Sequence, residues 1–141
     1  MDYSVFDTLA VAIASAVLGS MLFFAAVVAP TVFRALTAEQ AGSFLRALFP
    51  NYYLVLGGMS LGAAAVAAYS NSASSALVLA ACALIFLFGR YVAVPVINGY
   101  RDEMLAGNEA SGKKFEAWHR GTAAANFGQM AGLVYVIAQL G

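Results

Sequence analysis

Residues 7–29 read Asp7-Thr8-Leu9-Ala10-Val11-Ala12-Ile13-Ala14-Ser15-Ala16-Val17-Leu18-Gly19-Ser20-Met21-Leu22-Phe23-Phe24-Ala25-Ala26-Val27-Val28-Ala29, a run with no second charge after Asp7. As a helix it is about 33 Å long, enough to cross roughly 30 Å of hydrocarbon. It does not read as a cleaved signal, because Asp2 and Asp7 stand where a signal carries Lys or Arg and the apolar run is too long. Three further stretches of the same kind follow, at Tyr52–Tyr69, Ala76–Ile97 and Phe115–Gln139. The 141 residues are 62% hydrophobic and 10% charged, where a soluble domain carries about 25% charge. A bilayer offers no water to backbone N–H and C=O groups, so segments of this length must be helical. The expected fold is all-α, a four-transmembrane-helix bundle occupying 1–141 as a single membrane domain.

Charge distribution orients the bundle. The Ser70–Ser75 connection is uncharged and the N-terminus carries only acids. The seven basic residues gather in or beside the Thr31–Pro50 and Asn98–Lys114 connections. The positive-inside rule places these two connections in the cytoplasm. The protein is thus expected as a multi-pass chain of the cell inner (plasma) membrane with both termini outside. Zero net charge excludes a nucleic-acid partner, which needs a basic footprint. One cysteine, Cys82, excludes an internal disulfide, and no Cys/His spacing resembles a zinc site.

Between the first two spans, Thr37-x-x-Gln40 is a capping-box pattern that starts a helix. Ala41, Phe44, Leu45 and Leu48 then repeat at helical spacing, predicting a short interfacial helix at Ala38–Phe49, flat on the membrane. Pro50 suits the first turn of the next span. Tyr52, Tyr53 and Trp118 read as interfacial anchors. Small-xxx-small ridges at Ala12/Ala16/Ser20, Gly58/Gly62 and Ala124/Gly128/Gly132 predict close helix contacts. Pro30 and Pro95 end the first and third spans in matching contexts, Val28-Ala29-Pro30-Thr31-Val32 and Ala93-Val94-Pro95-Val96-Ile97. This hints at two parallel hairpins related by an axis along the membrane normal. Each proline exposes a carbonyl one turn back, near Ala26 and Tyr91.

The candidate site is a polar stripe on the last span. Asn126 lies about 20° from His119 around the helix, Thr122 about 60° and Gln129 about 80°. Such groups in hydrocarbon must find partners, and they are functional candidates by default. Arg90 is the other expensive residue, with no acid at its depth. Counting back from the last loop sets it level with Asn126, and Ile97 level with His119. Snorkelling to the headgroups is the plainer reading of Arg90. The ligand-binding set is therefore His119, Asn126, Arg90, Thr122 and Gln129. Met21, Met59, Met130 and Cys82 fall within spans and suit soft metals, although methionine is more often core filler. A haem on His119 has no second histidine and no CxxCH sequence to support it. No nucleophile–base pair or phosphate-cradling loop supports acyl or phosphoryl transfer, so the chain reads as a non-enzyme.

Gly19-Ser20, Val28-Ala29-Pro30-Thr31-Val32-Phe33, Ala41-Gly42, Leu48-Phe49-Pro50-Asn51-Tyr52-Tyr53, Pro95, and Phe115-x-x-Trp118-His119 with Asn126 resemble the transmembrane protein 205-like family, whose bacterial members carry the domain of unknown function DUF4149. The resemblance runs over nearly the whole chain. That family commonly follows the histidine with Gly-Leu-Ser; here Arg120-Gly121-Thr122 stands instead, keeping a hydroxyl and adding a charge. The resemblance implies a four-helix membrane protein, with a eukaryotic relative linked to tolerance of platinum drugs, and implies no particular reaction.

The preferred functional expectation is a small integral membrane protein that binds or moves a small solute or metal species within its bundle, as a homo-oligomer. The alternatives are an accessory subunit of a larger membrane complex and a haem- or quinone-dependent redox protein.

Overall fold

Four apolar stretches become four helices of nearly equal length. They are α1 (Ser4–Ala35), α2 (Ala38–Tyr69), α3 (Ala73–Leu105) and α4 (Glu109–Leu140). The structure is a computed structural model describing residues 4–141, and it contains no strand among them; Asp2 lies outside the described residues. At 32 or 33 residues each helix is about 48–50 Å long and overshoots the roughly 30 Å of hydrocarbon. Large apolar side chains such as Val55, Leu61, Leu77 and Leu84 point outward, as lipid contact requires. The protein is a multi-pass membrane bundle.

The helices form an up-down ring in which α1 and α3 each pack against α2 and α4. The half of the bundle around the Ser70–Ser72 turn is solid. Ala10, Ala14 and Val17 of α1 meet Ala63 and Ala67 of α2, Leu79 of α3, and Leu133 and Val136 of α4, all fully buried. Small side chains let the backbones approach, which replaces the hydrophobic drive that lipid cannot supply. At the rim, the Asp7 carboxylate accepts hydrogen bonds from Ser70 Oγ (2.6 Å) and Ser72 Oγ (3.1 Å), tying the start of α1 to the α2–α3 turn.

The small-residue ridges are only partly where the sequence pattern suggests. Gly132 packs inward, where an added Cβ would stand 3.0 Å from Val78 Cγ1. Gly58, Gly62 and Gly128 have nothing within 4 Å of such a Cβ, and Ala12, Ala16, Ser20 and Ala124 are exposed. These ridges face outward. Gly57 does the packing instead, against Phe86 Cβ at 3.2 Å. On a helix that is apolar all round, spacing marks a face without saying whether protein or lipid lies beyond it.

The other half carries the basic connections. The capping box forms as expected, Thr37 Oγ1 accepting from Gln40 N (3.3 Å) and Gln40 Oε1 accepting from Thr37 N (3.1 Å). No separate interfacial helix follows, which corrects the sequence reading. Ala38–Phe49 is the first three turns of α2, which runs on through Pro50. The segment stands upright because its apolar side has a protein neighbour: Ala41 is buried, and Arg46 binds the Asp102 carboxylate (2.5 Å) and the Asn98 carbonyl (3.3 Å) of α3. With α2 extended this far, Tyr53 sits about 22 Å from its start. It is a buried core residue stacked on Phe49, and not an interfacial anchor.

Pro30 and Pro95 do not end their helices either. Each is preceded by one π-helical turn, Phe24–Val28 in α1 and Gly89–Ala93 in α3. A proline ring clashes with the carbonyl four residues back, and widening that turn makes room. The hydrogen bonds shift accordingly, with Ala29 N donating to Phe24 O and Val94 N to Gly89 O. The two hairpins thus share a break at corresponding places, 65 residues apart by number. Their continuations differ: beyond its break α3 packs on α4, whereas α1 beyond Val28 makes only slight contact with α2.

Candidate functional site

That difference opens the bundle. Between the four helices at the basic end lies a cavity of about 630 Å³, within the usual range of roughly 300–1,000 Å³ for small-molecule sites. Met21 and Met130 line its deep end, and the buried Val17 and Leu133 close the bundle about one turn further in. Phe24, Phe49, Tyr52 and Tyr53 form an aromatic wall, with Phe24 5.3 Å from both Phe49 and Tyr52. Near the outer end stand Ala38, Gly42, Arg46 and Asn98, with Arg101 beside them. The cavity has no Asp or Glu in its lining.

Three of the five sequence-selected residues meet here. His119, Thr122 and Asn126 all line the cavity from α4. Ile97, expected level with His119, lines it from α3. His119 is exposed and stacks on Phe115, rings 6.1 Å apart and nearly parallel. The Thr122 hydroxyl donates to the His119 carbonyl (2.9 Å). Asn126 of α4 and Tyr53 of α2 are neighbours across the bundle and line the cavity together. Tyr53, Thr122 and Asn126 also border a second hollow of about 360 Å³ between α3 and α4, floored by Gly89 and Gly121. They form the partition between the two spaces.

Gln129 and Arg90 are elsewhere. Gln129 is 1% exposed and its Nε2 donates to the Cys82 carbonyl of α3 (3.0 Å), an interhelical lock away from the cavity. Arg90 lines neither hollow; its guanidinium lies 5.2 Å from the Tyr91 ring centroid and its Nε is buried without a partner. Arg90 lies inside the π-helical turn, and Gly89 continues the buried face of Leu79, Cys82 and Phe86 at helical spacing. Gly89, and not Arg90, is brought to Tyr53, whose ring would stand 3.1 Å from an added Cβ.

The cations that do line the cavity, Arg46 and Arg101, were visible only as loop charges. Arg101 lies across Gly42, where any Cβ would collide with its guanidinium, and its Nη2 reaches the Ala38 carbonyl (3.5 Å). Ala41-Gly42 was the available signal, but a helix laid flat turns that face to lipid. Arg46 also draws the Asp102 carboxyl, which lies past the apolar part of α3, below the usual carboxylate range by its hydrogen bond. Among the described residues no three His, Cys, Asp or Glu side chains come together as a metal site.

A four-helix membrane bundle with a blind, aromatic-walled cavity at its basic end is the class that fold and site define. The chain belongs to the family described as Domain of unknown function (DUF4149), whose model matches residues 12–106. The match covers most of α1 and all of α2 and α3; the Phe115-x-x-Trp118-His119 and Asn126 features of α4 lie beyond it. No curated protein and no solved structure matches the chain.

Proposed function

We propose that the protein binds a small, largely apolar organic solute in this cavity, with the basic end in the cytoplasm of an inner-membrane location. One observation carries the reading: His119, Thr122 and Asn126 line one roughly 630 Å³ space whose other walls are mostly aromatic and aliphatic. Apolar walls with a few convergent polar groups are what small-molecule sites use for affinity and orientation. The closed deep end favours holding a solute over conducting one straight through. The lining donors favour an organic solute over a metal ion.

A thermal-shift screen of the detergent-purified chain against small organic solutes tests this. Solutes that raise the melting temperature should lose the effect in Ala123→Phe, which fills the cavity, and in Asn126→Leu, which removes its polar partition. Equal shifts in wild type and both variants would overturn it.

A second reading, an assembly subunit, draws on the outward ridges of Gly58, Gly62 and Gly128. Co-purification of one stoichiometric partner in mild detergent, with no solute effect, would favour it.

A further inference from the structure

The cavity is open on one side, and the opening faces the bilayer. Phe33 of α1 and Phe127 of α4 both line the cavity, yet they are 65% and 71% exposed. A side chain faces both the interior and the outside only at the edge of an opening. Ala25, Ala29 and Phe33 repeat every four residues along the same strip of α1. The seam opens where it does because α1 packs on α4 below the π-helical turn at Phe24–Val28 and makes no substantial contact with it above. Above that turn α1 also touches α2 only slightly, joined to it by the short connection at Leu36–Thr37, whereas α3 stays packed on α4 and the Arg46 and Arg101 contacts tie α3 to α2.

The charge of the interior is one-sided. Arg46, Arg101 and His119 line it and no acid does. Asp102 occupies one face of Arg46 from the rim, while Arg101 has only a long contact to a backbone carbonyl. Cations therefore stand at the outer end, apolar and aromatic walls lie deeper, and a side door leads to lipid. From His119 to Met130 the cavity is about 16 Å deep, the length of an extended chain of roughly twelve carbons.

We propose that the solute is a single-chain anionic amphiphile drawn from the surrounding leaflet. Its carboxylate or phosphate head meets Arg101, with His119 across the mouth. Its chain enters sideways between Phe33 and Phe127 and lies along Phe24, Phe49 and Met130. The assignment rests on the solute-binding reading above and adds head-group charge, chain number and route to it.

The probe is 11-(dansylamino)undecanoate, titrated by fluorescence into the full chain in nanodiscs. Saturable binding should be displaced by dodecanoate and dodecyl phosphate, but not by dodecyltrimethylammonium. Phosphatidylglycerol, which carries the anionic head on two chains, should displace poorly. Arg101→Gln should weaken probe binding about tenfold, the scale of one lost charge-assisted hydrogen bond, and Arg101→Lys should restore most of it. Ala29→Trp, which narrows the seam, should slow both association and release of the probe. Size-exclusion profiles matching wild type establish that each variant is folded. Equal displacement by the cationic amphiphile, or no effect of Arg101→Gln, overturns the anionic head. Equal displacement by phosphatidylglycerol overturns the single chain, and unchanged rates in Ala29→Trp overturn the side entry. All three results leave solute binding standing. A wild-type chain that binds neither this probe nor any solute in the thermal screen removes the broader reading as well.

Discussion

The Arg46 guanidinium of α2 lies 2.5 Å from the Asp102 carboxylate of α3, while the Nε of the same side chain is buried without a partner. One end of this arginine is thus clamped at the rim and the other stands beside the cavity. Both side chains are substantially exposed, so the pair contributes little to stability. Asp102→Asn should shift the melting temperature by no more than about 2 °C. It should tighten binding of the anionic probe, because a competing carboxylate is gone. The sign with pH follows from the lowered carboxyl: the pair's contribution is present above the ordinary carboxylate range and fades only as pH falls through the depressed value.

Two glycines on one ridge of α4 should behave oppositely. Gly132→Leu drives a side chain into Val78 and Cys82, which stand 3.0 and 3.7 Å from an added Cβ. Overpacking of this kind costs about 1–3 kcal/mol, visible as a lower melting temperature in detergent. Gly128 has open space around it, so Gly128→Leu should leave the protomer's melting temperature unchanged or slightly raised.

Gln129 should prove a packing residue and not a ligand. Its Nε2 is bonded to Cys82 O, but its Oε1 is buried with no partner. Gln129→Leu keeps the volume and removes an unsatisfied acceptor, so stability should be close to wild type. Gln129→Ala leaves a void and should lose about 2 kcal/mol or more. Probe affinity should be unchanged in the leucine variant; a large loss would bring Gln129 back into the site.

Orientation is open to labelling. In a Cys82→Ala background, Ser74→Cys sits beside the uncharged turn and Ala110→Cys beside the basic one, both at exposed positions. A membrane-impermeant maleimide applied to intact cells should label position 74 and spare position 110. Labelling at 110 alone would invert the bundle.

Composition and apolar run length were enough to determine four membrane helices, because hydrocarbon admits no unpaired backbone and leaves the chain no other form. The capping box at Thr37 and Gln40 was equally legible, since it involves only residues three apart. His119, Thr122 and Asn126 could be placed on one face by counting, because α4 is regular throughout. What counting missed has a common cause. Level-matching along a hairpin sets depth and not facing, so it put Arg90 beside Asn126, whereas Gly89 is the residue turned inward to Tyr53. Whether Ala38–Phe49 lies flat or stands upright depends on whether α3 offers a partner, and only tertiary structure brings Asp102 to Arg46. Outward and inward small-residue ridges have the same spacing and differ only in what lies beyond them. The cavity itself belongs to no local stretch: it exists because α1 parts from α4 above Phe24 while α3 does not, a difference between two similar sequences that packing alone decides.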